Sequence, residues 1–157
     1  MQGYPLTIEQ HLDPGAVFLL NKMLQDVVLQ GTGKSLEKIL SKDLRVAGKT
    51  GSSNDLKDSW FAGFTGNRLA VVWVGRDDNQ PCNLTGSAGA LQIFGHLMNQ
   101  IPNQPLALVP PENVVWAVVD AKTGLRTDET CPDAMTIPFI KGSADRKSTR
   151  LNSSHRL

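Results

Sequence analysis

Within five residues, Lys49-Thr50-Gly51-Ser52-Ser53 places one cation and three hydroxyls around a glycine. Preceded by Val46-Ala47-Gly48, the string reads as a strand that lines the edge of a sheet. A cation and a row of hydroxyls on such a strand suit an anionic ligand, because donors facing a carboxylate make the shorter and stronger class of hydrogen bond. Alternate residues of a strand share a face, so the hydroxyls of Thr50 and Ser52 point the same way.

Other segments imitate chemistry and are weaker. Lys122-Thr123-Gly124 repeats the K-T-G triplet, but inside an Asp120-Ala121-Lys122-Thr123-Gly124 turn with few apolar neighbours, where a lysine is solvated. Gly31-Thr32-Gly33-Lys34-Ser35 imitates a phosphate loop. It has Val28 where the leading glycine is needed, and a helix precedes it instead of a strand, so it reads as a helix-ending loop. Trp60, Trp73 and Trp116 form a conceivable sugar-stacking set, yet apolar neighbours favour core or sheet packing for the first two. Arg76-Asp77-Asp78 reads as a solvated turn at a strand end. His11, His96 and His155 are too scattered for a ligand cluster, and no metal site is expected. Cys82 and Cys131 permit one internal pairing or two separate thiols, and neither sits in a C-x-x-C arrangement.

The elements that position the lysine follow from periodicity. Asp13 before Pro14 is a helix start, and Leu20, Met23, Leu24, Val27 and Val28 recur at helical spacing as a buried face until Gly31. From Leu44 the period becomes two. A loop at residues 52–57, a strand around Trp60-Phe61, a turn at Thr65-Gly66-Asn67 and a strand at Leu69–Val74 then make an antiparallel meander. Ser87 is placed to cap a second helix carrying Ala90, Leu91, Phe94, Leu97, Met98 and Ile101. The fold class is α+β, an antiparallel sheet with helices packed on it. Pro105, Pro110 and Pro111 mark an extended linker, and Val114–Val119 opens a small peripheral β-hairpin whose turn uses Gly124 at positive φ.

The K-T-G strand, the continuation Asp58-Ser59-Trp60-Phe61-Ala62-Gly63-Phe64 and the strand Arg68–Asp77 together resemble the transpeptidase domain of class A bifunctional penicillin-binding proteins, from roughly Tyr4 to Ile140. In that family a K-T-G strand faces an S-x-x-K helix and an S-x-N loop. The resemblance implies a domain plan of residues 1–103 as the C-terminal portion of the transpeptidase, 104–113 as linker and 114–145 as a β extension. Residues 146–157 are polar, aperiodic and unlike the family, and read as a non-native tail.

It also implies roles. Lys49 places charge near the terminal carboxylate of a D-alanyl-D-alanine stem peptide and assists proton transfer, and Thr50 and Ser52 hydroxyls bind that carboxylate. The Ser52 backbone N–H is one oxyanion donor. Gly51 lets the substrate lie along the strand, and Ser53 extends the substrate-binding row, with serine at 52 and 53 replacing the commoner threonines. The nucleophile is expected upstream of this chain. Ser35-Leu36-Glu37-Lys38 has the S-x-x-K form but follows a glycine-rich stop, whereas a nucleophile-activating lysine needs a buried helix. Ser52-Ser53-Asn54 cannot form the wall opposite its own strand. The fragment is thus expected to be inactive alone, the parent to bind stem peptides and β-lactams without a cofactor, and also to be a glycosyltransferase at the periplasmic face of the inner membrane through an N-terminal anchor. Rival readings are a non-catalytic module that captures an acidic peptide by strand addition, and a β-lactamase-like hydrolase fragment.

Composition is compatible with this. The 157 residues are 40% hydrophobic and 20% charged, ordinary for a globular domain. The formal net charge of +1 includes four cations after residue 145, so the remainder is net acidic and offers no basic surface for nucleic acid. The longest apolar runs, such as Leu69–Val74, fall far below the roughly 20 residues of a membrane span.

Overall fold

The computed structural model of the chain describes residues 9–143, so the tail at residues 146–157 lies outside them. Two compact units are present, one spanning Leu20–Val109, the other formed by the described residues before Leu20 together with those from Pro110 onward.

Helix α1 covers Pro14–Leu29 and starts as the sequence indicates, with the Asp13 carboxylate accepting the Ala16 N–H at 2.8 Å. Its apolar stripe is less buried than periodicity suggests. Val28 is buried, but Leu20 and Met23 are 55% and 63% exposed.

In the Leu20–Val109 unit, strands β1 (Ala47–Ser52), β2 (Ser59–Phe64) and β3 (Leu69–Val74) form an antiparallel meander in the order β1-β2-β3. β1 begins at Ala47 rather than at Leu44. Leu44 belongs to a 3-10 turn, Lys42–Leu44, closed by Arg45 in the left-handed region at φ 50°. Helix α2, Ala90–Gln100, packs on β2 and β3. Phe61 and Phe94 meet edge to face with centroids 4.8 Å apart, and Val28, Leu36, Leu40, Val46, Leu91 and Met98 complete the core. Burial of each such side chain stabilises by about 1.5–3 kcal/mol. The opposite sheet face is apolar yet open, with Trp60, Leu69, Val71 and Trp73 exposed.

Ser87 does not cap α2. The cap comes from β2, where the fully buried Ser59 hydroxyl accepts the Ala90 N–H at 2.9 Å and donates to Thr85 O at 2.8 Å. Two buried backbone groups are thereby satisfied by one side chain from another element. The segment after α2 is held by Leu106, whose N–H donates to Leu44 O, while the buried Gln25 amide donates to Arg45 O and Leu106 O. None of the described helices is long and apolar enough to cross a membrane.

The second unit is built on a hairpin, β4 (Val114–Asp120) against β5 (Ala134–Ile140), with Val114, Ala117 and Val119 buried. Gly124 takes φ 67° in the turn after β4, as the sequence indicates. Within this unit Asn113 donates to the Asp13 carboxylate at 3.1 and 3.3 Å, tying the start of α1 to the hairpin.

Candidate functional site

The register of β1 decides what its edge can offer. Among the described residues β1 pairs with β2 alone, with Thr50 opposite Phe61 and Ser52 opposite Ser59. Just beyond the strand, the Ser53 N–H donates to Asp58 O at 3.1 Å. An antiparallel ladder alternates residues that bond to the partner with residues that do not. Ser53, Gly51 and Lys49 therefore turn their backbone groups toward β2. Ser52, Thr50 and Gly48 direct N–H and C=O outward, to the open edge.

Side chains elaborate that edge. Lys49 is exposed and on the face opposite Thr50, and its Nζ bends over to donate to the outward Thr50 O at 2.8 Å. No carboxylate among the described residues lies within ion-pair distance of it, so its charge stands uncompensated beside the outward Ser52 N–H. The Thr50 hydroxyl lies 2.7 Å from that of Thr32. The Ser52 hydroxyl accepts the Gly86 N–H at 2.9 Å and keeps its own proton. A Cβ on Gly86 would sit 2.6 Å from Gly51 O, so only glycine lets that loop lie on the end of β1. Gly51 faces Trp60, whose Cβ would be 3.2 Å from an added Cβ. Ser53 is turned away into the loop, where its hydroxyl accepts the Asp58 N–H at 2.8 Å. The structure thus gathers Lys49, Thr50, Gly51 and Ser52 along one edge and gives Ser53 a loop-closing contact.

Asp58 is held below the usual carboxylate range, first by the Trp73 indole N–H at 2.9 Å and then by the Ser53 hydroxyl. Trp73 and Trp60 are cross-strand partners with ring centroids 6.1 Å apart on the open face, so they serve as a sheet pair rather than core.

The decoys resolve by environment. Ser35 lies in a 3-10 turn, Lys34–Lys38, with an exposed Lys38 and its hydroxyl accepting from the Gln92 amide at 3.2 Å, which leaves no desolvated lysine beside it. Lys122 pairs with Asp133 at 2.5 Å, and Asp120 accepts the Lys122 and Thr123 N–H groups. Arg76 and Asp78 form an exposed two-pronged ion pair. Cys82 and Cys131 are separate thiols, donating to Leu56 O at 3.2 Å and to Asp120 at 3.7 Å. Among the described residues, no three His, Cys, Asp or Glu side chains converge on one point. A small apolar cavity bordered by Val28, Leu36, Leu40 and Val46 is part of the core region and not of the β1 edge.

Local sequence patterns did not reveal Gly86 or Thr32 as neighbours of the edge, since they lie 34 and 18 residues from their partners. The glycines around Thr32 were the available sign of a tightly folded loop.

Comparison with known proteins agrees with this architecture. Residues 5–99 match the family model "Penicillin binding protein transpeptidase domain". Penicillin-binding protein 1B of Haemophilus influenzae is 41% identical over 116 residues, 74% of this chain and 14% of that protein. Penicillin-binding protein 1B of Escherichia coli is 42% identical over 120 residues, 76% of this chain and again 14% of that protein. A crystal structure of penicillin-binding protein 1A from Haemophilus influenzae aligns with a TM-score of 0.69 at 26% identity, over 87% of this chain and 21% of the other. The chain therefore spans about one-seventh of the 1B relatives it resembles. With a family model covering more than half of its residues and an α+β meander that superposes on a solved relative, this chain belongs to the penicillin-binding protein transpeptidase family and corresponds to the C-terminal part of a 1B-type transpeptidase domain.

Proposed function

We propose that the edge of β1 is the substrate-binding wall of a peptidoglycan D,D-transpeptidase whose nucleophile lies elsewhere in the intact protein. The observation that carries this reading is the uncompensated Lys49 ammonium at an open strand edge, beside the outward N–H of Ser52.

A D-alanyl-D-alanine terminus presents two centres of negative charge, its carboxylate and the oxyanion that develops when the preceding carbonyl is attacked. Lys49 supplies charge to the first and, by lowering the cost of proton transfer nearby, helps the D-alanine amine depart. Thr50 and Ser52 hydroxyls donate to the carboxylate. The Ser52 N–H donates to the oxyanion, with a second donor from the nucleophile's own amide. Gly51 keeps the edge flat enough for the stem peptide to lie along it as an added strand. The acyl-enzyme serine then passes the peptide to an amine of a neighbouring stem. β-Lactams enter by the same route.

The chain's single S-x-x-K sequence begins at Ser35, whose surroundings do not activate it, so the isolated chain does not acylate. The parent acts at the periplasmic face of the inner membrane and carries a glycosyltransferase domain, as its 1B resemblance suggests. In the intact protein, Lys49→Ala is expected to lower acylation by a fluorescent penicillin by about 10²–10³-fold. Labelling equal to that of the unmodified protein would overturn the assignment.

A further inference from the structure

The Gly31-Thr32-Gly33 loop, which mimics a phosphate loop in sequence, has its own task at the β1 edge. Both Gly31 and Gly33 donate backbone N–H groups to Val27 O, at 3.1 and 3.0 Å. A Cβ on Gly31 would lie 3.0 Å from Val27 O, and one on Gly33 would lie 3.0 Å from Val28 Cα. These contacts with backbone atoms leave little room for any side chain at either position. The two glycines therefore fold the chain back on the last turn of α1, and Thr32 between them is carried to β1, with its hydroxyl 2.7 Å from that of Thr50.

We infer that Thr32 is a positioning residue for Thr50, an inference that rests on the transpeptidase reading given above. A hydroxyl has one proton to donate and two lone pairs to accept with. If Thr50 spent its proton on Thr32, its oxygen would face an incoming carboxylate with lone pairs only, and the two would repel. A carboxylate at the edge therefore selects the other arrangement. Thr32 donates to Thr50, and Thr50 donates to the anion, so the charge is met by a two-hydroxyl chain whose members polarise each other. The interaction is with the carboxylate, which keeps its charge through the reaction, and Thr32 accordingly acts on binding more than on turnover.

The test uses the intact protein and an acyl-D-alanyl-D-alanine peptide, with penicillin labelling as the count of folded sites. Thr32→Val is expected to raise KM about tenfold, the size of one hydrogen bond to a charged group, with kcat and the labelled fraction at saturation little changed. Thr32→Ser restores KM. The same Thr32→Val substitution has no effect on a peptide whose terminal carboxylate is amidated, and adds nothing in a protein already carrying Thr50→Val.

An unchanged KM in Thr32→Val, a failure of serine to rescue, or an equal effect on the amidated peptide would each overturn the inference. So would full additivity with Thr50→Val. Failure of the underlying reading has a different signature, since Thr50→Val and Lys49→Ala would then both leave labelling and KM unaltered.

Discussion

The triplet K-T-G occurs twice in this chain, and the two copies share residue types while differing in almost everything that gives them chemistry. At Lys49-Thr50-Gly51 the triplet lies in a strand with one partner, the backbone groups of Thr50 point outward, and the lysine has no carboxylate beside it among the described residues. At Lys122-Thr123-Gly124 the backbone N–H groups of Lys122 and Thr123 are consumed by Asp120, and the lysine is paired with Asp133. The glycines differ too. Gly124 is needed for its φ of 67° and would find open space for a side chain, whereas Gly51 is limited by the Trp60 Cβ. A motif's donors bind a ligand only if the fold leaves them unspent.

The sharpest contrast is expected from the backbone. Ser52→Pro deletes an N–H that points to the open edge, where proline is tolerated in a sheet. Acylation of the intact protein by penicillin should fall about 10²–10³-fold, while Ser52→Ala, which keeps the N–H, should fall less. Similar rates for the two variants would show that the outward N–H is not an oxyanion donor. Next in size, Gly124→Ala should destabilise the hairpin by about 1 kcal/mol through its left-handed φ, read as a lower melting temperature with unchanged labelling. Lys122→Ala should be smaller still, within about 0.5 kcal/mol, because an exposed ion pair contributes little. Loss of labelling in Lys122→Ala comparable to that in Lys49→Ala would reverse the assignment of the two copies.

The turn also has a pH signature. Asp120 is held below its ordinary value of 3.8, chiefly by the N–H groups of Thr123 and Lys122. A carboxylate with a depressed folded-state pKa stabilises above its unfolded value, and this contribution is lost as pH falls through the lowered folded value. Protection of the Lys122 and Thr123 amides, measured relative to their intrinsic exchange rates, should therefore fall below about pH 3.8, and Asp120→Asn should remove most of that dependence. An unchanged acid profile in the variant would assign the transition to another group.

Much of the scaffold was legible locally. Asp13-Pro14 marked the start of α1, the change of period marked the meander, and Gly124 marked the turn, because each depends on neighbours within a few residues. What was not legible depends on distant partners. The cap of α2 is Ser59 and not the nearby Ser87, since a buried hydroxyl 31 residues upstream reaches Ala90 first. The exposure of Leu20 and Met23 was also unreadable, as periodicity reports that a face is apolar and not what lies over it. At the edge itself, residue type and spacing drew attention to the whole run Lys49–Ser53, and the individual roles came from the family resemblance. The outward direction of the Ser52 N–H required the register with β2, and the Thr32 contact required knowing how two glycines fold a loop.

The indoles of Trp60 and Trp73 stand side by side across β2 and β3, and Trp60 is the cross-strand partner of Gly51. Chromophores this close exchange excitation, so their joint optical signal depends on the twist between two strands of the sheet. Any peptide or drug that docks on the neighbouring strand and stiffens it should register in ultraviolet emission and dichroism, giving the protein an intrinsic sensor that needs no attached dye.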